Sequence, residues 1–292
     1  MDLSVFAIIG LPVVVSLLAV RWVYFKILKI AKEKNLVDNP DARKLQKVPV
    51  PVVGGLAVFF GLLFGLLCGV TMMNLFAGDI GMFSGIVSVN RLLPIVLGMS
   101  IMLYVGCMDD IMGLSPKARF LIEILVILGL IYSSGISVDS LHGLWGIDEI
   151  PSVVAVPLTI FAGVGIINAI NMVDGVNGLS SGLCITCSML FGLQFFCIGD
   201  YVNAVLAFSI ASSLFLFFIH NVFGNQSRMF IGDAGTMVMG VLMTWFVMCS
   251  MHDAGRGMIL DYAYCPTAMV VAILSVPVAD TLRVMSMRVF HG

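Results

Sequence analysis

The chain has 292 residues, of which 60% are hydrophobic and 11% charged, against about 25% charged in a typical soluble domain. Its mean hydropathy of +1.09 excludes an ordinary water-soluble globule, and its net charge of −2 supplies no basic field for nucleic acid. The seven cysteines, an odd number set mostly in apolar runs, read as small apolar residues and not as a disulfide framework.

A helix needs about 20 apolar residues to cross the hydrocarbon core. Charge-poor stretches near that length fall at residues 3–25, 50–73, 92–108, 119–138, 151–170, 179–199, 202–220, 235–251 and 262–281. The expected fold class is therefore all-α, a polytopic transmembrane bundle of about nine spans forming one unit over residues 1–292. The first stretch is too long, and too closely followed by further spans, to be a cleaved signal peptide. Cytoplasmic loops are enriched in Lys and Arg. An external amino terminus puts 13 of the 15 basic residues on the cytoplasmic side and leaves only Arg91 and Arg256 outside.

In chain order, the first long polar loop is Asp38-Asn39-Pro40-Asp41-Ala42-Arg43-Lys44-Leu45-Gln46-Lys47. Its Arg43, Lys44 and Lys47 suit anionic headgroups or a diphosphate equally. In the second span Gly61, Gly65 and Gly69 recur every fourth residue, a small-residue face that packs either within the bundle or between two copies of the chain. The third span ends at Asp109 and Asp110, followed by Gly113-Leu114-Ser115-Pro116-Lys117. Adjacent helical side chains diverge by about 100°, so the two acids are expected to take different partners, and in the plainest reading Lys117 pairs with one of them. Glu123 is expected to pair with Arg119 one turn away.

After the fifth span, Asn168, Asn171, Asp174 and Asn177 recur every third residue, with Gly175 and Gly178 placed to break the helix. This pattern fits a polar-ligand site or an Asx-rich turn. Cys184 and Cys187 lie in an apolar span without polar ligands and read as packing. The eighth span opens with Gly232-Asp233-Ala234-Gly235, where Asp233 suits a helix cap or a hard cation and the glycines would let a phosphate approach the backbone. With the amino terminus outside, all these acids and amides share the cytoplasmic side. His142, His220 and His252 are scattered and receive no catalytic role.

The ordered set D-x-P-x-x-R-K, D-D-x-x-G-L-S-P-K, N-x-x-N-x-x-D-G-x-N-G-L and G-D-A-G-T, running from about residue 38 to 236 and continued by Pro277 and Asp280, resembles the polyprenyl-phosphate N-acetylhexosamine-1-phosphate transferases. The resemblance implies transfer of a sugar 1-phosphate from a UDP-sugar to undecaprenyl phosphate in the bacterial inner membrane, with release of UMP and with Mg²⁺, or Mn²⁺ as the alternative, as cofactor. The first loop is more similar to the GlcNAc-1-phosphate branch than to the phospho-MurNAc-pentapeptide branch. Carried over by position, Asp233 matches the metal-ligand acid, while Asp109, Asp110 and Lys117 match catalytic groups near the acceptor phosphate. Asn168, Asn171, Asp174 and Asn177, together with Arg43, Lys44 and Lys47, correspond to substrate-binding positions. Asn177 stands where the family more often has Asp, so it is not expected to act as a base, and Gln46 stands where His is frequent. The family's His-rich cytoplasmic motif is expected beyond the ninth span, past Gly292, so a truncated chain with impaired turnover is the expectation. The rival class is a polytopic transporter, which would be expected to carry internal repeats with broken helices.

Overall fold

A computed structural model describes residues 3–38, 48–76, 85–224, 227–252 and 265–291. Among the described residues there are nine long helices: α1 (Leu3–Glu33), α2 (Gly54–Leu75), α3 (Gly85–Met112), α4 (Pro116–Ser134), α5 (Ser152–Val173), α6 (Leu179–Cys197), α7 (Tyr201–Phe223), α8 (Gly232–His252) and α9 (Pro266–His291). The only sheet among them is a two-residue antiparallel pair, β1 (Val37–Asp38) with β2 (Val50–Pro51), in which Val37 faces Pro51. Eight of the nine helices are long and apolar enough to cross a membrane. The exception, α4, carries Lys117, Arg119 and Glu123 in its first two turns.

Helix lengths exceed the expected spans at several ends. At about 1.5 Å per residue, the 31 residues of α1 run well past the hydrocarbon thickness. Its last turns carry Lys26, Lys29 and Lys32 beyond the apolar stretch, with the Lys26 ammonium 3.7 Å over the Trp22 ring. Charge density marks where an apolar run stops, but the backbone stays helical until its capping is lost, which is why α1 and α3 outlast their apolar cores.

The chain is wound around α8. Residues Ala234 to Met251 are all buried, and their sequence explains it: small and flexible residues surround the whole helix, with no polar stripe that would need to face outward. In contrast, Phe161 is 80% exposed and Val153 83% exposed on α5, surfaces that in a spanning helix face lipid. Helix α8 packs against α3, α5 and α2, and two glycines set how closely. A Cβ at Gly106 of α3 would lie 2.4 Å from Ala234 Cα, and one at Gly55 of α2 would lie 2.3 Å from the Gly235 nitrogen. Any side chain there would push the helices apart.

The glycine stripe of α2 serves the bundle and not a contact between copies. Gly61 abuts Val20 and Ser213, Gly65 abuts Ser16 and Ser209, and Gly69 abuts Val205, so α1 and α7 cover it from both sides. Of the paired cysteines, Cys184 and Cys187 are buried, and the Cys187 thiol donates to the Ile273 carbonyl 3.3 Å away on α9. They act as interior packing.

The even alternation of spans brings the α3–α4, α5–α6 and α7–α8 connections to one end of the bundle, where β1 and β2 also sit. The opposite end holds the α4–α5 connection, built around a bridge from Ser140 to Glu149, with the exposed Trp145 at its tip.

Candidate active site

The polar site grows out of three helix ends. At the end of α3, the Asp109 carboxylate accepts the Leu114 backbone N–H at 2.7 Å and, through its other oxygen, the Arg119 guanidinium at 3.2 Å. It therefore closes the α3–α4 turn, in which Gly113 takes a left-handed φ of 68° that only glycine adopts at no cost. Ser115 caps α4 by accepting from the Ala118 N–H, and Pro116 fills the first helical position.

Asp110, one residue on, faces a different way. Its two oxygens accept the backbone N–H groups of Asp233 at 3.0 Å and Ala234 at 3.2 Å. A side chain from α3 thus caps the amino end of α8, satisfying two orphan donors and placing a negative charge at the positive end of the helix dipole. The expectation that the two acids have different partners holds. The space at Gly232 and Gly235 is taken by protein, contrary to the expectation that those glycines admit phosphate. A Cβ at Gly232 would lie 2.3 Å from the Val52 carbonyl oxygen and 2.6 Å from Asp110, and one at Gly235 would meet Ile231 at 2.3 Å.

Arg119 is the centre of the network. Besides Asp109, its guanidinium reaches Asn168 Oδ1 at 3.2 Å and Asn171 Oδ1 at 3.4 Å, Glu123 at 3.5 Å and Asp233 at 4.0 Å. Glu123 is fully buried and accepts from Asn168 Nδ2 at 2.6 Å. Asn171 turns its amide to Asp233 Oδ1 and Thr236 Oγ1, both at 2.8 Å. Asn168 and Asn171 thus share one face of α5, in keeping with their three-residue spacing, and Asp233 of α8 meets that face through Asn171. Lys117, expected to be the cation, is exposed at the first turn of α4, and no contact joins it to this network among the described residues. The two residues are two positions apart, about 200° around the helix, so only one of them can point inward. Arg119 was read as the partner of Glu123, which is correct; its wider role was missed because it depends on where α5 and α8 lie.

On the far side of Asp233 lies a cleft of about 990 Å³. Its walls are the β1–β2 pair, the α5–α6 turn from Asp174 to Asn177, the start of α6, the end of α7, and the segment from Arg228 to Asp233. Asp174 ends α5 and accepts the Ser180 hydroxyl. Burial pushes its carboxyl up to about 7, the Ser180 hydroxyl partly offsets this, and the charge of Asp233 raises it further. Asn177 lines the same cleft. Arg228 sits beside it, donating to the Asn221 and Val222 carbonyls at the end of α7 at 3.1 and 3.4 Å, while Asn221 donates to the Met229 carbonyl at 2.8 Å. Neither Arg228 nor Asn221 was singled out from sequence as a site residue. Arg43, Lys44 and Lys47 lie outside the described residues. Asp280 lies on α9 and pairs with Arg283 at 2.8 Å.

Among the described residues no cluster of three or more acids, histidines and cysteines is arranged to hold a divalent cation. Asp110 is committed to two backbone donors and Asp109 to Leu114 and Arg119. Asp174 and Asp233 line the same cleft, and the charge of Asp233 raises the Asp174 carboxyl. Two carboxylates fit a Mg²⁺ ion that takes its remaining ligands from water and substrate phosphate, which is how such ions are commonly bound.

Residues 92–251, more than half of the chain, match the family described as glycosyl transferase family 4. A probable undecaprenyl-phosphate N-acetylglucosaminyl 1-phosphate transferase of Bacillus subtilis is 29% identical over 280 residues, covering 95% of this chain and 71% of the relative. Undecaprenyl-phosphate alpha-N-acetylglucosaminyl 1-phosphate transferases of Yersinia pestis and Escherichia coli K12 are each 26% identical over 90% of this chain, which spans 67% and 66% of their respective lengths.

Proposed function

This chain belongs to glycosyl transferase family 4, and from that premise we propose that it transfers N-acetylglucosamine 1-phosphate from UDP-GlcNAc to undecaprenyl phosphate, releasing UMP. The observation that carries the reading is the arrangement around Asp233. One side of this carboxylate faces a cleft large enough for a nucleotide-sugar, and the other is tied to the Arg119 network at the end of α4.

The cleft receives the donor. Asp38, Asp110, Asp174 and Asp233 all line it, and Arg228 is the cation among the described lining residues, so a bare diphosphate would meet net repulsion there. Asp174 and Asp233 would hold a divalent cation there, which would supply positive charge against the charge that builds on the donor phosphates. Arg228 supplies further positive charge from the cleft lining, and the half-buried Phe230 offers an apolar ring to a nucleobase. Asn177 is an uncharged hydrogen-bonding group for the sugar or base.

The acceptor phosphate is assigned to the Arg119 side. A phosphomonoester with a second pKa of about 6 is mostly dianionic at neutral pH, so its oxygen attacks the donor β-phosphorus without prior proton removal. One oxygen–phosphorus bond forms as the bond from the β-phosphorus to the bridging oxygen breaks, and UMP leaves with that oxygen. Both Asp109 oxygens are already engaged, by the Leu114 N–H and by Arg119. This favours an orienting role for Asp109 over a covalent phospho-aspartate. The reading also assigns the site end of the bundle to the cytoplasm and the protein to the bacterial inner membrane, in keeping with the 13-to-2 distribution of basic residues.

The test is incubation of the purified chain in nanodiscs with UDP-GlcNAc, undecaprenyl phosphate and Mg²⁺. UMP release that stops on chelation, and that UDP-MurNAc-pentapeptide does not support, is the expected result. Release only with the pentapeptide donor would move the chain to the other branch, and no release with either donor, even from the protein extended through the His-rich motif, would sink the assignment.

A further inference from the structure

The cleft wall from Ser227 to Ile231 is loop backbone, and its anchors decide where Arg228 and Phe230 point. Asn221 and the end of α7 hold Arg228 and Met229 from nearby, while the later residues are held from the amino-terminal part of the chain: the Phe230 N–H donates to the Pro51 carbonyl at 2.7 Å, and the Gly54 and Gly55 N–H groups donate to the Phe230 and Ile231 carbonyls at 2.9 and 2.8 Å. The residue just before Arg228 has a distant anchor as well. The Tyr24 hydroxyl on α1 donates to the Ser227 carbonyl at 2.6 Å, across 203 residues.

Tyr24 is fully buried. Its ring stacks on His220 with centroids 4.9 Å apart and meets the edge of Phe217, which itself lines the cleft, at 6.2 Å. The His220 ring nitrogen lies 3.3 Å from the Ser227 hydroxyl. The ring is thus held independently of its hydroxyl, and the hydroxyl grips the peptide immediately before Arg228. A buried tyrosine ordinarily finds some partner for its O–H. Here the partner is the carbonyl that sets the direction of the cleft's own arginine.

We propose that Tyr24 is a positioning residue for the nucleotide donor, acting through the Ser227–Arg228 peptide to keep the Arg228 guanidinium on the cleft. The inference rests on the assignment of that cleft to the donor. It gives α1, which contributes no residue to the Arg119 network, a direct part in substrate affinity.

The experiment is Tyr24→Phe in the full chain in nanodiscs, which keeps the ring and its stacking. The readouts are UMP binding by titration calorimetry, kcat, and KM for donor and acceptor separately. UMP dissociation constant and donor KM are expected to rise roughly three- to ten-fold, the range spanned by the net worth of one hydrogen bond. The melting temperature, kcat and acceptor KM should stay near those of the parent chain. Arg228→Ala should weaken UMP binding as well, and adding Tyr24→Phe to it should weaken binding little further, because both changes remove the same contact. Unchanged UMP binding in Tyr24→Phe, full additivity with Arg228→Ala, or an equal loss of acceptor affinity would each overturn the proposal. UMP calorimetry does not depend on turnover, so failure of the transferase reading, shown by UMP binding without transfer in the protein extended through the His-rich motif, is distinguishable from failure of this one.

Discussion

Replacing Arg119 by Lys separates the structural account of the site from the simpler one in which Lys117 supplies the cation. Arg119 spreads one guanidinium over Asp109 at 3.2 Å, Asn168 at 3.2 Å and Asn171 at 3.4 Å. A lysine keeps the charge but, as a point donor on a flexible stem, holds one of these partners well and releases the others. The side chain is 21% exposed, so solvent screens these contacts little. Losing about two hydrogen bonds to a charged group, at roughly 1.5 kcal/mol each, amounts to about 3 kcal/mol, or a rate loss on the order of 100-fold. The assay is UMP release under saturating donor, with a thermal melt of the same sample to separate catalysis from folding. Arg119→Lys should lower kcat about 100-fold with a modest loss of melting temperature, and Lys117→Ala should stay within about three-fold of the parent. A kcat within two-fold for Arg119→Lys, or a larger loss for Lys117→Ala than for Arg119→Lys, would refute the reasoning.

Asp110→Asn keeps one acceptor for the amino end of α8 and removes the charge there, so it should cost about 1 kcal/mol of stability while retaining more activity than Asp233→Asn; equal activity losses with unchanged melting would contradict the capping role. Gly106→Ala forces a methyl against Ala234 Cα and should lower the melting temperature, in line with an overpacking cost of about 1–3 kcal/mol; a melt indistinguishable from the parent would show that α3 and α8 are free to separate. Asp174, raised to about 7 by burial, carries its proton below that pH and loses it above, and the proton competes with a divalent cation. Apparent Mg²⁺ affinity should therefore increase roughly ten-fold from pH 6 to pH 8 and level off beyond, a slope that Asp174→Asn should flatten; an unchanged slope in that variant would place the titration elsewhere.

Nine helices could be read from hydropathy because lipid exposure leaves little freedom in composition, and the acids and amides at their ends stood out for the same reason. The near-triplet spacing of Asn168 and Asn171 likewise placed the two on one side of α5, where both meet Arg119. The identity of that partner could not be read, because which of Lys117 and Arg119 turns inward is fixed by the rotation of α4 against α5. The capping role of Asp110 was hidden for a related reason: its two donors lie 123 and 124 residues away, and nothing local marks an acid that caps a distant helix. The glycines of Gly232-Asp233-Ala234-Gly235 suggested room for phosphate, yet they make room for the Val52 carbonyl, Gly55 of α2, Ile231 and Asp110. Their purpose depends on helix pairing that no short motif contains.

In the proposed reaction a sugar phosphate, and not a bare sugar, moves from the nucleotide to the lipid. UDP-GlcNAc radiolabelled in its β-phosphate, incubated with the chain, undecaprenyl phosphate and Mg²⁺, tests this directly. The account predicts that the label enters the lipid fraction while unlabelled UMP is released, and that Asp233→Asn abolishes both. Label that stays in the aqueous phase as UDP while GlcNAc reaches the lipid would contradict it.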